Sequence, residues 1–301
     1  AYEISLGLVG SEMCIRDSIT IGVIGLGNAG TPILNNLNKS NKYKLVAFDI
    51  DTKKLNDVPD NVAKANSIKN LAEQCNVVLT CLPKPEHVLE VVDGKEGLLQ
   101  NASTDMIWID TSTTNFKQTQ ELARKASTYG VSMLEATLTG GVHALQNNNM
   151  VCLAGGDEET FKLWKEVLQD AIGEVVVLCG KVGAGAIAKV VSNMLAFTNM
   201  VAASECMMIA KKAGLDLENF FDAIRVSAGN SFAWETVVPH IFNQKYEAGF
   251  TMDLACKDMN LSYLLGRDLK VPLDLHMEVK KKMDKARIPV SYTHLTLPTK
   301  A

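Results

Sequence analysis

Residues 19–30 read ITIGVIGLGNAG. A mostly apolar run leads straight into Gly25-Leu26-Gly27-Asn28-Ala29-Gly30, the spacing G-x-G-x-x-G. Each glycine has a physical reason at its place. Gly25 permits a tight turn, Gly27 lets backbone approach a pyrophosphate, and Gly30 lets the following helix pack closely on the strand. The N-terminus of that helix then offers free N–H groups and a positive dipole end to phosphate. The spacing alone is weak. Here it follows a strand-like run, opens a helical one, and meets Asp49 at the end of the next strand-like run, about twenty residues on as a dinucleotide site requires. The Asp49 carboxylate suits ribose hydroxyls and would repel a 2′-phosphate, so NAD is expected rather than NADP. Asp51 competes for that role, or is a solvated turn carboxylate.

Working outward, β-rich runs alternate with helical ones. Residues 19–24, 43–49, 77–82 and 106–110 read as strands, apolar on both faces as in a sheet covered on both sides. Residues 131–135, 150–154 and 174–178 are expected to extend the sheet. Residues 31–38, 115–129 and 157–169 read as helices, with Pro32 suited to a first turn and Gly130 to a stop. This alternation predicts an α/β fold, a Rossmann-type doubly wound parallel sheet with right-handed crossovers. After about residue 181 the pattern is helical only, over 183–214, 217–227, 231–243, 252–265 and 273–285. The organisation expected is a dinucleotide-binding domain over 19–181 and an all-helical substrate and oligomerisation domain over 182–289, joined at 180–185. Residues 1–18 and 290–301 read as adapter-derived, non-native tails: MCIRD at 13–17 and VSYTHLTLPT at 290–299 match adapter-like coding on opposite strands. No internal repeat or low-complexity linker stands out.

The net charge of −4 offers no attraction to nucleic acid or an anionic membrane. Seven cysteines are scattered without zinc-ligand or redox spacing, which suits reduced thiols in a cytosolic protein. His87, His143, His240 and His276 form no metal-ligand pattern, so no metal is expected. Residues 187–209 are the most apolar stretch, but Lys189, Asn193, Asn199 and Glu205 interrupt it. A buried helix fits better than a membrane span.

Several residues can carry chemistry. Lys189 and Asn193 stand four apart on one helix face. A lysine in apolar company is costly unless it is paired or its pKa falls, and a lysine so tuned is a fit general acid/base. The alternative is a lysine that snorkels to the surface. Asn193 could orient it and bind a substrate hydroxyl. Thr139-Gly140-Gly141 follows a strand; its backbone N–H groups and hydroxyl can cradle a carboxylate, or form a plain turn. Leu82 and Pro83 end one strand at the sheet's carboxyl edge, and Asp110-Thr111-Ser112-Thr113 end another. Ser112 and Thr113 could bind the nicotinamide ribose or amide, or cap the next helix. Lys257, next to Asp258, could meet an anionic group or form a surface ion pair.

In order, GLGNAG at 25–30, CLP at 81–83, DTST at 110–113, TGG at 139–141, GAGAIAKVVSN at 183–193 and KD at 257–258 resemble the β-hydroxyacid dehydrogenase family, which includes 3-hydroxyisobutyrate dehydrogenase. The resemblance spans nearly all of 19–289. It implies oxidation of a small 3-hydroxyacid to its semialdehyde, or the reverse, with a nicotinamide cofactor and no metal. It implies Lys189 as general acid/base with Asn193 its partner, and Thr139, Gly140 and Gly141 on the substrate carboxylate. Lys257 is implied near both nicotinamide and substrate. A homodimer or homotetramer is also implied. Three motifs depart from the family's usual residues: Thr139 stands for serine, Glu135-Ala136-Thr137 for Asp-Ala-Pro, and Ser192 for the first of paired asparagines. The family's last helical segment is expected to be missing. Two other readings stay open: another reductase on this scaffold, such as an imine reductase, and a silent NAD-binding module.

Overall fold

The computed structural model describes residues 19–242 and 250–287. Both expected tails, and the end of the helix expected over 231–243, lie outside the described residues. The first part of the chain runs β1 (Thr20–Ile24), α1 (Gly30–Ser40), β2 (Lys44–Phe48), a 3-10 turn (Thr52–Asp57), β3 (Ala63–Lys64), α2 (Ile68–Ala72), β4 (Val77–Thr80), α3 (Pro85–Asp93), α4 (Leu98–Asn101), β5 (Ile107–Asp110), α5 (Phe116–Thr128), β6 (Ser132–Thr139), α6 (Val142–Gln146), β7 (Val151–Gly155), α7 (Glu158–Ala171) and β8 (Val176–Leu178). The strands form one sheet in the order β3-β2-β1-β4-β5-β6-β7-β8. The first crossovers run outward from β1 to β2 and β3, and the next go to β4 on its other side. That reversal opens the crevice where such folds bind ligands.

Alternation along each strand sends neighbouring residues to opposite faces. Val23, Leu79, Ile109 and Leu134 pack with Ile33, Leu34 and Leu37 of α1 and Phe161 and Leu168 of α7. Ile24, Val78, Trp108 and Met133 pack the other face with Leu71, Val88, Val92 and Leu122. The doubly apolar strand runs reflect this two-sided burial. The sheet is parallel from β3 to β6 and from β7 to β8, but β6 and β7 are antiparallel, with Glu135 opposite Gly155 and Thr139 opposite Val151. This corrects the expectation of parallel extension. Only the short α6 separates the two strands, too little chain for the crossover a parallel pair needs.

The rest of the described chain is helical: α8 (Ala184–Lys212), α9 (Leu217–Arg225), α10 (Phe232–Phe242), α11 (Met252–Asp268) and α12 (Asp274–Arg287). The packing divides between Lys189 and Val190, inside α8, a little beyond the junction expected at 180–185. In the second unit Phe197, Met200 and Val201 pack with Met252, Ala255, Met259, Val279 and Met283. Met207 packs with Trp234 and Val238. Among the described residues α8 is also the one helix long and apolar enough to cross a membrane, and 44% of its most apolar window is buried.

Candidate active site

The GLGNAG turn leaves β1 between β2 and β4. Gly25 N–H donates to Phe48 O and Cys81 N–H to Ile24 O, each at 2.9 Å. Gly25 has φ +94, and a Cβ there would lie 2.4 Å from Cys81 O. A Cβ on Gly30 would lie 1.8 Å from Gly25 O, so α1 starts in contact with its own turn. Around Gly27 nothing lies within 4 Å of a Cβ position. Two glycines are therefore demanded by the fold and the third borders open space, which fits a pyrophosphate approaching backbone. Leu26, Asn28 and Ala29 complete the turn.

Asp49 sits at the end of β2, only 5% exposed. Its Oδ2 accepts from Leu26 N at 2.6 Å and Lys54 Nζ at 3.1 Å, and its Oδ1 from Asp51 N at 2.9 Å. Burial pushes this carboxyl up, but the two backbone N–H groups and the Lys54 ammonium outweigh it and hold it below its ordinary range. Asp49 thus carries charge at neutral pH and ties the glycine turn to β2. Asp51 instead caps the 3-10 turn through Lys53 N, 3.1 Å away. Lys54 was not anticipated from the sequence; only the turn brings its ammonium back.

The next two turns are fastened together. Leu82 N donates to Ser112 Oγ at 2.9 Å, and Ser112 N to Asp110 Oδ1 at 3.1 Å. Thr80 Oγ1 donates to the same Asp110 oxygen at 2.8 Å and receives Trp108 Nε1 at 2.9 Å. Ser112 is buried, Leu82 and Thr113 are half-buried, and Pro83 is exposed. The helix-capping alternative for Ser112 and Thr113 is corrected: Asn115 caps α5, its side chain accepting from Lys117 N.

Thr139 ends β6, and Gly140 (φ +124) and Gly141 (φ +89) turn into α6, both exposed. A Cβ on Gly141 would meet nothing within 4 Å. Here glycine is needed for its dihedrals, not for space. Asn36 of α1, 5% exposed, donates to Leu145 O of α6 at 2.9 Å and to Ala171 O at 3.1 Å. The helix that starts at the glycine turn therefore also braces the helix that follows Gly141.

Glu135, four residues before Thr139, is 2% exposed. Its carboxylate accepts from Gly183 N at 2.6 Å, Ala186 N at 2.8 Å and Gly185 N at 3.3 Å. It thereby takes N–H groups that the first turn of α8 leaves without helical partners. Burial drives the Glu135 carboxyl above its ordinary range, against the pull of those N–H groups. On the same α8, Lys189 and Asn193 are each 9% exposed. Within the helical unit Asn193 Nδ2 donates to Asp258 Oδ2 at 2.6 Å, and Lys257 Nζ lies 3.1 Å from Asp258 Oδ1. Asp258 is 1% exposed and Lys257 21%. The Lys257 pair is accordingly not a surface pair: one buried carboxylate holds both Asn193 and Lys257. Sequence reasoning passed over Asp258. Its signal was position, since it falls on the buried stripe Ala255, Asp258, Met259, Ser262 of α11. Among the described residues no cluster of His, Cys, Asp and Glu could hold a metal ion.

Residues 20–180 match the family model described as the NAD binding domain of 6-phosphogluconate dehydrogenase, and residues 183–289 the one described as NAD-binding of NADP-dependent 3-hydroxyisobutyrate dehydrogenase. Mouse (Mus musculus) mitochondrial 3-hydroxyisobutyrate dehydrogenase is 31% identical over 263 residues, 84% of this chain and 77% of its own. Eubacterium barkeri 2-(hydroxymethyl)glutarate dehydrogenase is 30% identical, covering 87% of each. The solved structure of Mycobacterium tuberculosis 3-hydroxyisobutyrate dehydrogenase with L-serine superposes with a TM-score of 0.84 at 26% identity, over 92% of this chain and 96% of its own. A glycine turn built for a dinucleotide, and two family models that together span the described chain, lead to one conclusion. The chain belongs to the β-hydroxyacid dehydrogenases of the 3-hydroxyisobutyrate dehydrogenase type, a family of nicotinamide-dependent oxidoreductases.

Proposed function

We propose that this protein oxidises a small 3-hydroxyacid to its semialdehyde, or reduces the semialdehyde, with NAD and with Lys189 as the general acid/base. The observation that carries this reading is a buried lysine, 9% exposed, less than two turns into a helix whose start is bonded to β6, the strand that ends in Thr139-Gly140-Gly141. A bound nicotinamide supplies the hydride acceptor. The protein's share is to position the alcohol and to move one proton. In oxidation the Lys189 amine takes the hydroxyl proton as the carbonyl forms; in reduction its ammonium returns it. The N–H groups of Gly140 and Gly141 and the Thr139 hydroxyl suit the substrate carboxylate. Asn193, held by Asp258, suits the hydroxyl, and Lys257 adds positive charge for the anionic substrate.

The ionised Asp49 at the end of β2 supports NAD over NADP. Exposed Leu195, Ile209 and Phe232 on the helical unit support assembly of identical subunits as a dimer or tetramer. Free thiols at the described cysteines support a reducing, cytosolic setting. A panel of small 3-hydroxyacids with NAD, followed by absorbance of the reduced cofactor, tests the activity. At least one acid should turn over. Lys189→Ala should lower kcat with that acid by about 10²–10⁴-fold while NAD still binds. Turnover with no acid favours a silent NAD-binding module, and unchanged turnover in Lys189→Ala removes that residue's role.

A further inference from the structure

We propose that Glu135 and Thr137 are positioning residues for Lys189: they clamp the first turn of α8 to β6 and so set where the Lys189 amine stands relative to the Thr139-Gly140-Gly141 turn. The proposal rests on the acid/base reading of Lys189.

The clamp grips both polarities of the helix backbone. Glu135 accepts from the N–H groups of Gly183, Gly185 and Ala186, which point back along the helix. The Thr137 hydroxyl shares its one proton between Leu153 O at 3.0 Å and the Gly185 carbonyl at 3.2 Å. Helical carbonyls point forward, so the helix and β6 run in the same sense here. Gly185 O is also the acceptor that α-helical bonding assigns to Lys189 N–H. Glu135, Thr137 and Thr139 alternate to one face of β6, and Gly185 and Lys189 share one face of α8. From Thr137 to Thr139 the strand advances about 6.6 Å; from Gly185 to Lys189 the helix advances about 6 Å. The threonine of the glycine turn and the lysine therefore leave the clamp in step.

The contact is built without slack. A Cβ on Gly155 would lie 2.1 Å from Glu135 Oε2 and 2.8 Å from Gly185 N. A Cβ on Gly185 would lie 3.0 Å from Leu153 O and 3.1 Å from Glu135 Cβ. Glu135 and Thr137 stand where the resemblance implies aspartate and proline, and a proline side chain has no donor for the Gly185 carbonyl. Nor is the Glu135 charge explained by stability. Because burial raises this carboxyl in the folded chain, its contribution is full below the unfolded pKa and is lost as pH rises through the higher folded value. A glutamine keeps the shape but replaces one acceptor oxygen by an NH2 donor, so at least one of the three N–H groups loses its partner.

The experiment measures kcat, KM, the pH profile of kcat, Tm and hydrogen exchange over residues 183–189 in Glu135→Gln, Glu135→Asp, Thr137→Val and Lys189→Ala. Expected is kcat about 10- to 100-fold lower in Glu135→Gln and Thr137→Val, whatever each does to Tm. The KM for NAD should hold, exchange at the start of α8 should quicken, and the limb of the pH profile that Lys189→Ala abolishes should move. Glu135→Asp should recover part of the loss. Wild-type kcat and an unmoved limb in both Glu135→Gln and Thr137→Val would overturn the clamp, even if Tm fell. Unchanged turnover in Lys189→Ala would instead remove the acid/base reading, and the proposal with it.

Discussion

The sheet unit presents its candidate binding groups mostly through backbone, whereas the helical unit uses side chains. Around GLGNAG and Thr139-Gly140-Gly141 the decisive features are positive φ angles and the absence of Cβ atoms. Around Asp258 they are one buried carboxylate and the two side chains it holds. Backbone turns tolerate many neighbours but no added carbon at the wrong glycine. A side-chain cluster tolerates small backbone shifts but not the loss of a partner, because an orphaned buried charge costs more than the pair contributes.

That contrast can be broken or sharpened. The largest effect should come from Gly30→Ala, whose Cβ would stand 1.8 Å from the Gly25 carbonyl. We expect a loss of about 3 kcal/mol or more, as for severe overpacking, and no measurable NAD affinity. Urea unfolding and fluorescence titration check both, and a stable variant that binds NAD would show that the turn can yield. Asp258→Ala should come next, at about 2 kcal/mol, with a higher KM for substrate because Asn193 and Lys257 lose their anchor. Unfolding and steady-state kinetics read this. Intact stability would mean that the helical unit repacks as freely as a surface. The smallest effect should be at Asp49→Ala. There the ratio of kcat/KM for NAD to that for NADP should fall about tenfold, or 1.4 kcal/mol. Because Asp49 also holds Leu26 N, NAD affinity itself should weaken as well. An unchanged ratio would leave Asp49 as a brace for the glycine turn alone.

How far the chain could be read in advance follows the same division. The alternation of strand and helix, the helices expected over 31–38 and 115–129 and the long helical stretch from 183 were legible because they follow from periodicity, glycine spacing and capping residues, all local signals. The antiparallel β6–β7 pair was not, since strand direction depends on where the chain returns rather than on side-chain alternation. Glu135 read only as an odd residue in a familiar lead-in, and Asp258 only as the neighbour of a lysine. Nothing near either in sequence reveals a partner 48 or 65 residues away.

By itself, then, the sequence determined the alternation of strand and helix, the dinucleotide turn and the shared face of Lys189 and Asn193, because each is a matter of residues within a few turns of one another. The tertiary structure alone decided that Asp49 braces the glycine turn, that Asp258 joins Asn193 to Lys257, and that Glu135 and Thr137 take both polarities of the α8 backbone. Those bonds link groups far apart along the chain. Their geometry exists only once burial has brought sheet and helices together and left each polar group to find its partner away from water.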